Sequence, residues 1–390
     1  MESHKKILLI DFTNYEDYPV GGFLSFARNM ISSFGNDLAL IGITTEDNEP
    51  VGKWYTKQIN GSEFDFFSLA RYVKNRTKHI IPDRVTCFLK LKYYRNRILQ
   101  KDFNNVFVQR HEVLPAISNF GYKNVCYRFP GMESPLSISK YGFGRYFSGY
   151  FDRLFFSALK NVQLILAAGD DNSIDEMIER STRIISRSSV IKFPTRIDTD
   201  IFRPADKLET RIKLNIRESV FMVITTGRLA WFKGWKFMID CFSLFQNSVP
   251  DSLFYMIGDG EDEQKIREYL YLKHLENKVI LTGRKLPDEI SLYLNSSDLF
   301  IMGSYKEGWS TSLSEAIACG IPSCVTAFSS ANEIIREGVN GYVVREHDEK
   351  LFVEGMIKSL SVPRPADNRN VLSYSTGKLK EDILRLWYLV

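Results

Sequence analysis

No run in the 390 residues approaches the ~18 consecutive apolar residues that a membrane-spanning helix needs. The opening Met1-Glu-Ser-His-Lys-Lys passes at once into a short apolar run, unlike a secretory leader. Cysteine is scarce: five residues, at 87, 126, 241, 319 and 324, odd in number and mostly in apolar surroundings. They build no disulfide framework and show no metal-ligand spacing, so reduced core thiols in a cytoplasm are expected. Charge of one sign is also lacking. Fifty-one basic residues against 47 acidic ones leave only +4, and no nucleic-acid motif is present, so nucleic acid is not an expected partner. No Gly-x-Gly-x-x-Gly follows the first strand-like run, which argues against a dinucleotide oxidoreductase.

What is present is a chain long enough for two or three domains, 44% hydrophobic, with its strongest signal near residue 310. Glu307-Gly-Trp-Ser-Thr-Ser-Leu-Ser-Glu315-Ala reads as a loop entering a helix. Ser310 is the expected N-cap, and Gly320 with Pro322 supplies the stop. Glu307 then precedes the helix and Glu315 lies inside it. The unpaired backbone N–H groups of Ser310, Thr311, Ser312 and Leu313 fall between the two carboxylates. Such a terminus attracts phosphate, while carboxylates accept hydrogen bonds from hydroxyls. The combination describes a sugar nucleotide.

Upstream, Val220 to Thr226 reads as a buried strand, followed by Gly227-Arg228-Leu229-Ala-Trp-Phe-Lys233-Gly234 and a helix. Strand, glycine loop and helix make the phosphate corner of a doubly wound sheet. Arg228 and Lys233 are placed to meet a diphosphate, one as a planar fork and the other as a point charge. Three more strand-like runs end in Gly258-Asp259-Gly260, in Gly283-Arg284 and in the loop to Glu307. In the amino-terminal half, Ile7 to Ile10 is a strand-like run, and Gly21-Gly22 precedes a helical pattern, where glycine allows close approach of a ligand. A simple turn explains the two glycines equally well. Asn105 to Val108 leads to Gln109-Arg110-His111-Glu112, which places His111 at a strand end.

Together Gly227-Arg228-Leu229, Lys233-Gly234, Gly258-Asp259-Gly260, Gly283-Arg284 and Glu307 to Glu315 resemble the retaining glycosyltransferases of family 4. The ordered match runs over roughly residues 217–345. The resemblance implies the α/β GT-B fold: two Rossmann-like domains facing across a cleft, with a final helix packing back on the first. The expected division is an acceptor-side domain at 1–198, a hinge at 199–216, a nucleotide-sugar domain at 217–365 and a crossover helix segment at 366–390. It further implies transfer of a sugar from a nucleoside diphosphate to a glycan or lipid-linked glycan in cell-surface polysaccharide assembly. Arg228, Lys233, Glu307 and His111 take the catalytic roles. Glu307 and His111 fall near the sugar and Glu315 on the ribose, while Gly21, Gly22, Gly227, Gly258, Gly283, Arg284, Ser310, Thr311, Ser312 and Leu313 line the donor. A sugar-nucleotide epimerase of the same fold, or a silent sugar-nucleotide-binding protein, is the alternative.

Three departures stand out. Arg128 occupies a place where such enzymes often carry histidine or small polar residues, and either an acidic acceptor or a neighbouring carboxylate accounts for it. Thr195-Arg196 replaces the usual Asn-Gly. Asp198-Thr-Asp200 has the spacing of a metal-binding pair but falls in the linker pattern, so no metal or other cofactor is expected. Finally, residues 71–101 contain ten basic residues and one acid, interleaved with Phe88, Leu91, Tyr93, Tyr94, Ile98 and Leu99. That composition suits an anionic membrane surface and a solvated helix face equally; on the first reading the cytoplasmic protein expected from its thiols is peripheral on the inner face of the cytoplasmic membrane. The aromatic-rich stretch 141–156 joins that surface or the core.

Overall fold

A computed structural model describes residues 6–19, 21–74, 81–129 and 148–388. The chain separates into two compact units, Met1–Pro194 with Lys378–Val390, and Thr195–Gly377.

The first unit is built on an eight-stranded sheet. Its strands are β1 (Ile7–Ile10), β2 (Leu38–Thr44), β3 (Trp54–Ile59), β4 (Ser62–Arg71), β5 (Asn105–Val108), β6 (Asn124–Phe129), β7 (Leu164–Ala167) and β8 (Val190–Lys192). They lie in the order β3-β4-β2-β1-β5-β6-β7-β8, parallel except for the β3–β4 hairpin at one edge. The all-apolar Ile7-Leu-Leu-Ile10 lies near the middle, buried on both faces as a parallel strand requires. Leu8 and Ile10 join Val106, Val108 and Tyr127 on one side. Ile7 and Leu9 face Phe26 and Ala27 of α1 (Gly22–Phe34) on the other, together with Leu379, Ile383 and Trp387. The last helix of the chain is therefore part of the first unit's core.

After residues 75–80, which lie outside the described ones, α2 (Asp83–Tyr93) buries Cys87 and Leu91 and leaves Val85, Leu89 and Tyr93 exposed. Part of the basic excess there is matched at home: Lys74 pairs with Asp17 at 2.8 Å and Lys101 with Asp65 at 2.5 Å. Within the aromatic stretch, residues 141–147 lie outside the described ones and Phe155 is core.

The second unit holds β9 (Phe221–Thr226), β10 (Ser252–Ile257), β11 (Val279–Gly283), β12 (Leu299–Met302), β13 (Ser323–Thr326) and β14 (Gly341–Val344). All six are parallel, in the order β11-β10-β9-β12-β13-β14. The chain winds outward from β9 to β11 on one side and from β12 to β14 on the other, so the order reverses between β9 and β12. Ligands of doubly wound sheets bind at that switch point. Residues 199–216 belong to this unit rather than lying between the two. There α3 (Lys207–Leu214) is capped by Asp206, and the buried Arg211 donates to Asp298 at 2.7 Å and to the Ser296 carbonyl at 2.9 Å. No helix among the described residues is long and apolar enough to cross a membrane.

Candidate functional site

The carboxyl ends of β9, β10 and β11 meet backbone to backbone. Gly227 N–H donates to the Ile257 carbonyl at 2.9 Å, and Gly258 N–H to the Gly283 carbonyl at 3.0 Å. Gly227 and Gly258 adopt φ of 140° and 142°, and a Cβ on Gly258 would run into the Gly227 carbonyl oxygen. Only glycine meets both demands, conformation and space. At Gly227 the first atom that a Cβ would meet is Ser312 Oγ, at 3.8 Å, so this loop faces the start of α5 (Thr311–Ala318). Between β9 and α4 (Trp235–Phe245), Gly234 lies directly against the Gly303 carbonyl at the end of β12, bringing the loops that carry Lys233 and Glu307 together.

The N-terminus of α5 forms as its sequence dictates. Ser310 Oγ accepts from Leu313 N–H at 3.2 Å, and Ser310 N–H donates to Ser330 Oγ at 3.0 Å. Two backbone donors of the first turn remain. Thr311 and Ser312 N–H have no partner among the described residues. Thr311, Ser312 and Glu315 fall on one helical face, and they are the half-buried residues of a helix otherwise packed inside. The helix dipole adds a partial positive charge where the two donors point.

Charged side chains surround this corner. Arg228 Nε donates to Glu261 at 2.8 Å, and both residues are exposed. An exposed pair is worth only ~0–1 kcal/mol, so the guanidinium is released cheaply to an anion. Lys233 Nζ is 2.5 Å from Glu307 Oε1, which also accepts from Ser304 Oγ at 2.8 Å. The Glu315 carboxyl group has no ion pair or hydrogen bond among the described residues, and burial alone pushes it up to about 8. Protonated at neutral pH, it can both donate to and accept from a hydroxyl. Arg284 is exposed beyond Gly283, where a Cβ would meet open space. Arg228, Lys233, Gly227, Gly258, Gly283, Ser310, Thr311, Ser312, Leu313, Glu307 and Glu315 are therefore gathered at one edge of the second sheet. Glu261, Ser304 and Ser330 were not anticipated. Glu261 follows the Gly258-Asp-Gly260 motif directly and Ser304 stands three residues before Glu307, so proximity in the chain was the available signal.

The remaining expected residues lie in the first unit. Gly21 is the N-cap of α1 with φ 151°, and among the described residues no side chain caps that terminus. His111 follows β5 but is buried, enclosed by Tyr127, Phe129 and Phe155 with ring centroids 4.8–5.9 Å away. Burial, then the charges of Arg84 and Arg180, hold it neutral down to a pKa of about 3, and its Nε2 has no hydrogen-bond partner among the described residues. Beside it, Arg110 pairs with Asp11 and reaches Glu112 at 3.7 Å, its guanidinium over the Phe23 ring. Arg128 lies over the Phe26 ring, 3.9 Å from its centroid, and so packs on α1. Arg196 is buried near Tyr374.

Asp198 accepts from the N–H groups of Asp200 and Ile201 at 3.1 and 3.4 Å, which makes it a turn residue. Among the described residues no group of three His, Cys, Asp or Glu is placed to hold a metal ion.

Residues 206–376 match the family model described as Glycosyl transferases group 1. The chain is 25% identical over 170 residues to the UDP-Gal:alpha-D-GlcNAc-diphosphoundecaprenol alpha-1,3-galactosyltransferase of Escherichia coli, covering 42% of this chain and 43% of that one. It is 28% identical over 137 residues to the alpha-monoglucosyldiacylglycerol synthase of Acholeplasma laidlawii, 35% of this chain and 34% of that one. The match thus spans less than half the length of these relatives. Over 99% of the chain the fold is that of a sucrose-phosphate synthase from Thermosynechococcus elongatus, covered in full (TM-score 0.74, 14% identity). It is likewise that of Anabaena HepE in complex with UDP and glucose, with 99% of this chain and 100% of that one covered (TM-score 0.72, 14% identity).

Proposed function

Proceeding from a glycosyl transferases group 1 domain at residues 206–376, we propose that this chain is a retaining glycosyltransferase using a nucleoside-diphosphate sugar. One observation carries the reading. The N–H groups of Thr311 and Ser312, unpaired among the described residues, face the Gly227 loop that leads to Arg228 and Lys233; Lys233 is paired with Glu307, and Glu315 lies on the same helical face as the two donors. Two backbone donors, two cations and a helix dipole suit a diphosphate; two separated carboxylates suit hydroxyls on either side of it.

In this reading Glu315 takes the ribose hydroxyls and Glu307 the hydroxyls of the transferred sugar. Gly283 and Arg284 border the base, and Gly21, Gly22 and His111 serve from the first unit. The bond from the anomeric carbon to the diphosphate oxygen breaks, and the acceptor oxygen bonds to the same face. The hydroxyl proton leaves with the diphosphate. Negative charge grows on the leaving group, so Arg228, Lys233 and the start of α5 lower the barrier by meeting it in place. No step calls on a metal ion. Turnover in excess EDTA is expected to persist; complete loss, restored by magnesium or manganese, would count against the reading.

The acceptor is a glycan or lipid-linked glycan, and the site of action the cytoplasmic face of a membrane. Two things support this. The two curated relatives named above carry a diphosphoundecaprenol-linked sugar and a glycolipid in their names. Val85, Leu89 and Tyr93, four residues apart in succession, form an exposed apolar stripe on α2 beside Lys90 and Lys92.

The test of the donor reading is thermal stability with UDP, GDP and ADP, since a ligand that binds only the folded chain raises its melting temperature. A shift with one nucleotide, absent in Arg228→Ala, supports the site. No shift with any of the three sinks it.

A further inference from the structure

Two large aromatic side chains are exposed where burial would be expected. Trp231 is 69% exposed and Tyr305 49% exposed, their ring centroids 6.3 Å apart and their planes 35° from each other. A lone exposed aromatic needs no explanation; this pair is built from two loops. Trp231 precedes Lys233 by two residues and Tyr305 precedes Glu307 by two. The loops are joined where Tyr305 N–H donates to the Phe232 carbonyl at 2.9 Å. Behind Tyr305, the His347 imidazole stacks at 4.2 Å and 8°, held by a contact of its Nε2 with the Gly303 carbonyl at 3.3 Å. The Tyr305 hydroxyl has no partner among the described residues. The Tyr305 ring is therefore held in orientation, and the pair offers a shallow, tilted surface, apolar on its faces and polar at its edge.

We propose that Trp231 and Tyr305 form a platform that stacks on a pyranose ring of the acceptor. The acceptor role rests on the glycosyltransferase reading above. A pyranose presents a face of C–H groups whose partial positive charge suits the negative face of an aromatic ring, while its equatorial hydroxyls reach groups at the edge. The base of the donor does not compete for this place. Gly283 and Arg284, which border the base, end β11, two strands from β9 on the side away from β12, whereas His347 and Tyr305 lie on the β12–β14 side. Nor does the transferred sugar. Its expected partner Glu307 is recessed, with its side chain 11% exposed, whereas the two rings stand outside that recess. A second sugar lying next to the first is the ligand that reaches both.

The experiment is saturation-transfer NMR on the full chain, with and without UDP. The probes are the methyl pyranosides of glucose, galactose, mannose and N-acetylglucosamine. Trp231→Ala, Tyr305→Ala and Trp231→Phe are compared with the parent. Expected is transfer to the ring C–H protons of at least one glycoside in the parent and in Trp231→Phe. In both alanine variants affinity should fall about tenfold or more, the scale of one buried aromatic contact. Both aromatics are exposed, so unchanged melting temperatures certify the variants as folded. No transfer in the parent, or equal transfer in all four proteins, overturns the platform. Because the glycosides are also titrated without UDP, absence of nucleotide binding with intact glycoside transfer would remove the donor reading and leave the platform standing.

Discussion

Lys233 Nζ and Glu307 Oε1 meet at 2.5 Å although the residues are 74 positions apart. The contact links the loop after β9 to the loop after β12 across the switch point of the second sheet. A cation assigned to the diphosphate and a carboxylate assigned to the sugar therefore share one hydrogen bond before any ligand arrives, so the two subsites are set at a fixed spacing.

Lys233→Ala is expected to cost about 2–4 kcal/mol of transition-state stabilisation, or roughly thirty- to a thousandfold in kcat/KM. Arg228→Ala should fall in the same range, since its partner Glu261 is exposed and contributes little to folding. Steady-state kinetics with the donor identified by thermal shift measures both. A loss below threefold in either variant would remove that residue from the diphosphate site.

Glu315 makes stability depend on pH. Its carboxyl is raised from 4.5 to about 8 by burial, so between those values the folded chain holds a proton that the unfolded chain has lost. Stability from this residue is fully present below about pH 4.5 and declines as pH rises toward 8. Melting temperatures recorded from pH 5 to 8.5 should fall more steeply in the parent than in Glu315→Gln. Equal slopes would mean that the carboxyl is not buried as described.

His111 separates two roles by two readouts. The folded ring refuses a proton down to about pH 3, whereas the unfolded ring takes one near 6.5, so its contribution to stability is lost as pH falls from 6.5 toward 3. His111→Phe, which fits an aromatic surround, should soften that acid loss. If the ring also serves the donor sugar, kcat drops at least tenfold while the melting temperature at pH 7 is kept. If it only packs, kcat is unchanged.

The glycines of the phosphate corner are not equivalent. Gly258→Ala places a methyl group on the Gly227 carbonyl oxygen at a φ that alanine rarely adopts, and should cost about 2–4 kcal/mol and abolish the nucleotide shift. Gly283→Ala carries only the conformational cost, about 1 kcal/mol, because the space around it is open. Chemical denaturation of the two variants gives the comparison directly.

Much of the second unit was legible because its strands are short apolar runs that end in glycine or charge. Phe221–Thr226, Ser252–Ile257 and Val279–Gly283 coincide with expected strands to within a residue or so. The Ser310 cap was legible for the same local reason. The β3–β4 hairpin was not read, although Asn60-Gly61, both at positive φ, separates two alternating runs, which is a hairpin signature. What no local pattern contains is pairing between distant loops. Glu307 with Lys233, Trp231 with Tyr305, and Tyr305 with His347 arise only once β9, β12 and β14 are laid side by side. The enclosure of His111 was hidden for a related reason: Tyr127, Phe129 and Phe155 come from β6 and from a later helix.

The return of α6 (Leu379–Tyr388) to the first unit has a consequence for synthesis. A chain emerging residue by residue presents β1 and α1 early, yet Ile7, Leu9 and Phe26 lack their last partners until Leu379, Ile383 and Trp387 have been made. The second unit has all of its strands and its phosphate corner by then. The later-made half is thus able to finish folding first, and the earlier-made half waits, its apolar face uncovered, for the final helix.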